Sequence, residues 1–224
     1  MRRIVFPLIL GVAGVAILLS LGFWQLGRLG WKQAMLAEIT AQITAEPQAL
    51  PAPGATAALK YTPVTVTGRT TGQELLVLTG QKDFGPGYEV ISAFETADGR
   101  RILIDRGFVP EAARRSPRPA VPLAVTGNLH WPSELDRYTP APDLAAGIWF
   151  ARDLPAMAAH LGTEPLLVVA ASVAGDAQGI APVPITIEGI RNEHLNYAIT
   201  WFLLALVWSG MTAYLLWRIR RKQF

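Results

Sequence analysis

Histidines 130, 160 and 194 are the only imidazoles in 224 residues, and the chain has no cysteine. That removes thiolate nucleophiles, disulfides, thiolate metal sites and Cys-x-x-Cys-His heme attachment. Gly-x-Ser-x-Gly, His-Glu-x-x-His and phosphate-cradling glycine loops are absent too, so no enzyme constellation is present and a non-catalytic role is expected. His130 falls at an expected strand end. His160 falls in the last turn of a short expected helix, where a cation suits the dipole. Both read as structural. His194 is different. It stands in Asn192-Glu193-His194-Leu195-Asn196-Tyr197-Ala198-Ile199-Thr200-Trp201, and on a helix positions 194, 197, 198 and 201 share one face. Trp24 and Gln25, about 30 Å along an N-terminal helix, reach the same level. Aromatic walls and one neutral imidazole are what a heme macrocycle needs. The same residues also suit an interfacial anchor, since Trp, Tyr and polar groups favour the membrane boundary. On the residues alone both readings stand.

The elements that must carry these residues come from the apolar blocks. Mean hydropathy is +0.29 and 51% of residues are hydrophobic, too apolar for an ordinary soluble domain. Residues 4–27 and 195–217 contain no charge. Each spans about 35 Å as a helix, enough for a hydrocarbon core of about 30 Å. Small residues at Ala198, Ala205, Ser209 and Ala213 suit close packing against a first helix offering Ala16 and Ser20. All 17 acidic residues lie between Glu38 and Glu193, whereas six of the 20 basic residues flank the spans from outside (Arg2, Arg3, Arg218, Arg220, Arg221 and Lys222). The pI of about 9.4 therefore reflects two short tails and not a nucleic-acid-binding surface; no nucleic acid is expected as a partner. Basic tails beside apolar spans stay cytoplasmic. The expected plan is a cytoplasmic tail at 1–3, a transmembrane helix at 4–27, a periplasmic domain at 28–193, a second transmembrane helix at 194–217 and a cytoplasmic basic tail at 218–224. A cleaved signal peptide is the competing reading of the first span, but the run is long and lacks a small-x-small cleavage site.

Within the middle region, apolar residues at helical spacing extend the first helix through 28–43, and the prolines of 46–54 make a linker. Strands are expected at 61–70, 74–79, 88–94, 101–109, 121–130, 165–171 and 183–190, with Asp98-Gly99 closing a hairpin. A helix at 153–161 has Asp153 as N-cap and Gly162 as its stop. The fold class is membrane α+β: two terminal transmembrane helices flanking an antiparallel β-rich domain, barrel- or sandwich-like.

Several blocks together resemble the surfeit locus protein 1 family of cytochrome c oxidase assembly factors. They are Leu21-Gly22-Phe23-Trp24-Gln25-Leu26-Gly27-Arg28 with Trp31-Lys32; Tyr61-x-Pro63-Val64-x-Val66-x-Gly68; Gly87-Tyr88-Glu89-Val90; Ile102 to Pro110; Trp149 to Leu154; Met157-Ala158 and Glu164-Pro165; and Asn192-Glu193-His194-Leu195 with Tyr197-Ala198 and Thr200-Trp201-Phe202. Two positions depart from the pattern: Asp105, where the family usually has Asn, and Phe108, where it usually has Trp. The resemblance implies a respiratory-chain biogenesis factor, a chaperone that helps place heme a in the oxidase catalytic subunit. It also implies His194 as the iron ligand and Tyr197, Trp201, Trp24 and Gln25 as heme-binding neighbours. Heme a would be bound transiently, with the membrane and the oxidase catalytic subunit as partners and heme a synthase as a further one. The family's other reading is a scaffold that stabilises an oxidase assembly intermediate without holding heme. No transit peptide precedes the first span, so a bacterial cell inner membrane is expected.

Overall fold

The computed structural model describes residues 2–81, 85–188 and 190–221. It comprises two compact units, residues 1–38 with 187–224, and residues 39–186.

In the first unit, α1 (Arg2–Ile43) and α3 (His194–Arg221) are single unbroken helices, both long and apolar enough to cross a membrane. Of the tail expected at 218–224, residues 218–221 form the last turn of α3 and 222–224 lie outside the described residues. The α1–α3 contact is built on glycine. A Cβ on Gly22 would stand 2.5 Å from the Phe202 ring, and that ring packs edge-on to Phe23 at 5.4 Å. Trp208 Nε1 donates to the Gly11 carbonyl at 3.2 Å, an approach that a side chain at position 14 would block, since a Cβ there would collide with that nitrogen. Ala198 and Ala205 are buried in the seam. Ala16, Ser20 and Ser209 are exposed, which corrects the expected pairing. Glycine permits the closest backbone approach, so the seam follows Gly11, Gly14 and Gly22. Gly22→Leu and Ala205→Leu are expected to overpack it, at roughly 1–3 kcal/mol each. Both should lower accumulation of the protein in membranes, read by immunoblot, while Ser209→Leu should leave it unchanged.

The second unit is a β-barrel. Its strands are β1 (Gln48–Ala49), β2 (Pro63–Gln81), β3 (Gly85–Thr96), β4 (Arg101–Pro110), β5 (Pro122–His130), β6 (Ile148–Trp149) and β7 (Leu167–Gly175). Pairing runs β2–β3–β4–β7–β5 and returns to β2, closing a five-stranded ring, with β1 and β6 as short additions on β2. A ring with an odd number of strands cannot alternate direction all the way round. The β4–β7 pair is accordingly parallel while the other four are antiparallel. The two strands expected at 61–70 and 74–79 are one. The bulge between Thr70 and Glu74, with Gly72 at φ 79°, bends β2 so that it pairs with β5 before the bend and β3 on both sides of it.

Valines and isoleucines of alternate positions fill the barrel, among them Val64, Val66, Ile102, Ile104, Val125 and Val168 around Phe94. The intervening positions of β4 are also buried, because Leu103 meets α2 (Leu154–Leu161) on the outer face, together with Leu75, Ile91, Met157 and Trp149. Asp153 Oδ1 accepts from the Ala156 N–H at 3.2 Å and Gly162 ends α2 at φ 64°, as the cap residues predict. Asp98-Gly99 does close the β3–β4 hairpin, with Gly99 at φ 85°. The strand expected at 183–190 is not formed: residues 182–186 carry no regular structure, and residue 189 lies outside the described ones. Pro182 and Pro184 cannot donate to a ladder, so only Ala181 bridges, to Phe108. Gly107, at φ 115°, makes that bridge possible. A Cβ there would collide with the Ala181 carbonyl.

Candidate functional site

His194 opens α3, and Gln25 stands in the same unit on α1. The two are hydrogen-bonded, His194 Nδ1 to Gln25 Oε1, at 2.7 Å. An amide oxygen can only accept, so Nδ1 donates, and in the neutral ring it is Nε2 that has the lone pair. A hydrogen bond on one ring nitrogen that frees and orients the other is the arrangement that iron- and zinc-binding histidines use. Trp201, two turns further along α3, is half-buried with its Nε1–H enclosed and without a partner among the described residues. Asn192 Oδ1, just before His194, is likewise enclosed and unpartnered. An unsatisfied indole N–H two turns from an available imidazole, on the same helix, fits a ligand carrying acceptors better than it fits a plain lipid contact.

Trp24 and Tyr197 are largely exposed, at 58% and 55%. The structure therefore joins His194 to Gln25 and leaves Trp24 and Tyr197 as flanking aromatic surface, not as a closed pocket. Above Gln25, Lys32 donates its ammonium to the Arg191 carbonyl, and the Arg28 guanidinium stacks 4.5 Å from the Trp31 ring centroid. His160 makes an edge contact with Trp149 at 6.2 Å, a packing role. His130 is half-buried near Tyr61, and burial above all pushes its pKa down to about 4.

A second constellation lies in the barrel unit. Arg152, just before α2, reaches three carboxylates: Asp105 on β4 at 3.1 Å, Glu89 on β3 at 3.2 Å and Glu134, from the segment after β5, by a 2.9 Å hydrogen bond. Its backbone N–H adds a second bond to Glu134. Asp105 is fully enclosed and also accepts from the Gly107 N–H at 3.1 Å. Three acids around one guanidinium leave excess negative charge in a desolvated place. Burial first, then the Asp105 charge, raises Glu89 to about 7 against the opposing pull of Arg152. Burial likewise raises Asp105. No group of three or more His, Cys, Asp or Glu among the described residues is arranged to hold a metal ion. Arg152 thus acts as a clamp between β3, β4 and the segment that follows β5.

The class is a membrane α+β chain whose sequence runs from one apolar helix through a small closed barrel to a second apolar helix, with a half-buried amide bonded to a histidine on the helical pair. The chain belongs to the SURF1 family, whose model matches residues 12–206. A SURF1-like protein of Rickettsia felis is 31% identical over 216 residues, 90% of this chain and 92% of that protein. Surfeit locus protein 1 of Rattus norvegicus is 30% identical over 225 residues, 89% of this chain and 71% of the rat protein. A SURF1-like protein of Caenorhabditis elegans is 30% identical over 220 residues, 84% of this chain and 67% of that protein.

Proposed function

We propose that this chain is a non-catalytic assembly factor of a bacterial inner membrane that presents heme a to the catalytic subunit of cytochrome c oxidase. The observation that carries the reading is the Gln25–His194 hydrogen bond, which fixes the imidazole tautomer and leaves Nε2 free for iron. Bound heme would supply the oxidase with its redox centre. His194 would ligate it, Gln25 would hold the ring in place, and Trp24, Tyr197 and Trp201 would cover the apolar faces of the macrocycle. In a strain lacking this chain, oxidase purified from the membrane should contain less heme a. The wild-type gene should restore it and His194→Ala should not, as read by pyridine hemochrome content per oxidase. Full restoration by His194→Ala would contradict the reading.

A scaffold without heme is the second reading. The exposed Leu135, Tyr138 and Leu144 between β5 and β6 favour it, as apolar side chains available to a partner. It predicts that His194→Ala restores the oxidase while polar replacements at those three positions do not.

The orientation belongs to the same proposal. With basic residues clustered outside both apolar runs, both termini lie in the cytoplasm and residues 28–193 in the periplasm. A reporter active only in the cytoplasm should work when fused at Phe224 and be silent at Ala120. The opposite pattern would invert the topology.

A further inference from the structure

Trp24, Arg28 and Lys32 are spaced four residues apart on α1, so they form one stripe, with Arg28 about 6 Å and Lys32 about 12 Å above the indole. Lys32 is also two turns beyond Gln25, on the same side of the helix. These are the first charges after 24 uncharged residues. Among the described residues neither cation has a carboxylate partner: Arg28 lies against Trp31 and Lys32 bonds a main-chain carbonyl. Arg191, beside them, extends into solvent and reaches Glu193 only at 3.7 Å. On the proposed topology, Arg28 and Lys32 also lie on the side of the membrane from which the charge bias removes basic residues. Two cations with no acidic partner, directly above an imidazole, an amide and an indole, call for a ligand that is apolar below and doubly acidic above.

We propose that Arg28 and Lys32 take the two propionate carboxylates of the heme whose iron faces His194, so that the macrocycle stands with its acidic edge towards the aqueous side. This rests on the heme reading above. A phospholipid phosphate would satisfy the cations equally well but would leave the oriented imidazole without a role. Charge-assisted bonds to carboxylate fix orientation as well as affinity, and Arg28 offers a planar fork for one of them.

The experiment is a spectral titration of the detergent-solubilised full chain with ferric protoporphyrin IX and, separately, with its dimethyl ester, which has the same ring and iron but no acid groups. The wild type is expected to bind the diacid roughly tenfold or more tighter than the ester. The Arg28→Gln/Lys32→Gln double variant is expected to bind both alike, at the wild-type affinity for the ester. His194→Ala should lose the ligand-dependent band with either compound. If the wild type binds diacid and ester equally through His194, the inference fails and the heme reading stands. A double variant that keeps the diacid preference has the same consequence. If neither compound gives a His194-dependent spectrum, both fall. Where the double variant does not accumulate, the single variants Arg28→Gln and Lys32→Gln decide the matter: each should lower the diacid-to-ester ratio, and an unchanged ratio in both overturns the inference.

Discussion

Replacing Arg152 with methionine is expected to destabilise the barrel unit by about 3–5 kcal/mol, because it leaves Asp105 and Glu89 enclosed, with Glu134 at their exposed edge, without their cation. Methionine keeps much of the arginine stem's volume, so the loss reports charge and hydrogen bonds rather than a cavity. The variant should also become strongly pH-dependent: acid protonates Glu89, Asp105 and Glu134, and the penalty shrinks with the charge. Even the wild type should show the trend. Glu89, raised to about 7 in the fold, binds its proton more tightly than in the unfolded chain. Its contribution is therefore complete below the ordinary carboxylate range and is lost as pH rises towards 7, an effect of about 3 kcal/mol at most. His130, pushed down to about 4, contributes the opposite slope over the same range, so thermal unfolding from pH 5 to pH 8 is read as a difference: relative to Glu89→Gln, the wild type should lose stability as pH rises. Asp105→Asn, which installs the amide usual in the family, should remove one of the competing charges and stabilise the barrel at pH 8. A wild-type protein more stable at pH 8 than at pH 5, by a margin that Glu89→Gln does not alter, would sink this account of the cluster.

His194→Ala carries the other large effect, an expected loss of heme from the purified protein, because the one other iron-binding group on that face, the Tyr197 phenol, is largely exposed and ligates iron only as a phenolate. Gln25 grades the same effect. Gln25→Leu removes the acceptor for Nδ1–H, frees the ring to rotate and should weaken heme binding by roughly 10–100-fold. Gln25→Glu keeps an acceptor and should retain binding. Tyr197→Phe should change little, since Tyr197 is mostly exposed and loses only its hydroxyl. All four variants should insert normally, because each leaves the apolar spans intact.

Much of this was legible in the chain because the signals are local. Unbroken apolar composition marks both long helices, and period-two alternation marks Val64 and Val66 or Leu123 and Val125 as barrel strands. Asp153 and Gly162 bracket α2 by side-chain chemistry alone. Closure of the ring was not legible, since the parallel β4–β7 pairing joins segments about 60 residues apart and depends on strand count. The run at 183–190 reads as a strand because valine and isoleucine outweigh Pro184, which together with the preceding Pro182 denies it a ladder. Gln25 and His194 could be placed at one level by counting residues, but only the structure shows their hydrogen bond. The Arg152 clamp was missed because its members lie on three strands or loops and a helix start. The available signal was Glu89 and Asp105 themselves, charged residues inside strands otherwise built to be buried. Arg106 belongs to the same lesson. It is almost wholly buried and binds Gln178 Oε1 at 2.9 Å and the Ala177 carbonyl at 3.2 Å, so its block in the sequence serves the fold.

The most direct test of the central claim is the absorption spectrum of the full chain purified in detergent from cells that make heme a. The account predicts a Soret band with heme a in the pyridine hemochrome, present in the wild type and gone in His194→Ala at equal protein yield. A wild-type protein free of heme under those conditions, or a His194→Ala protein that keeps its full complement, would contradict it.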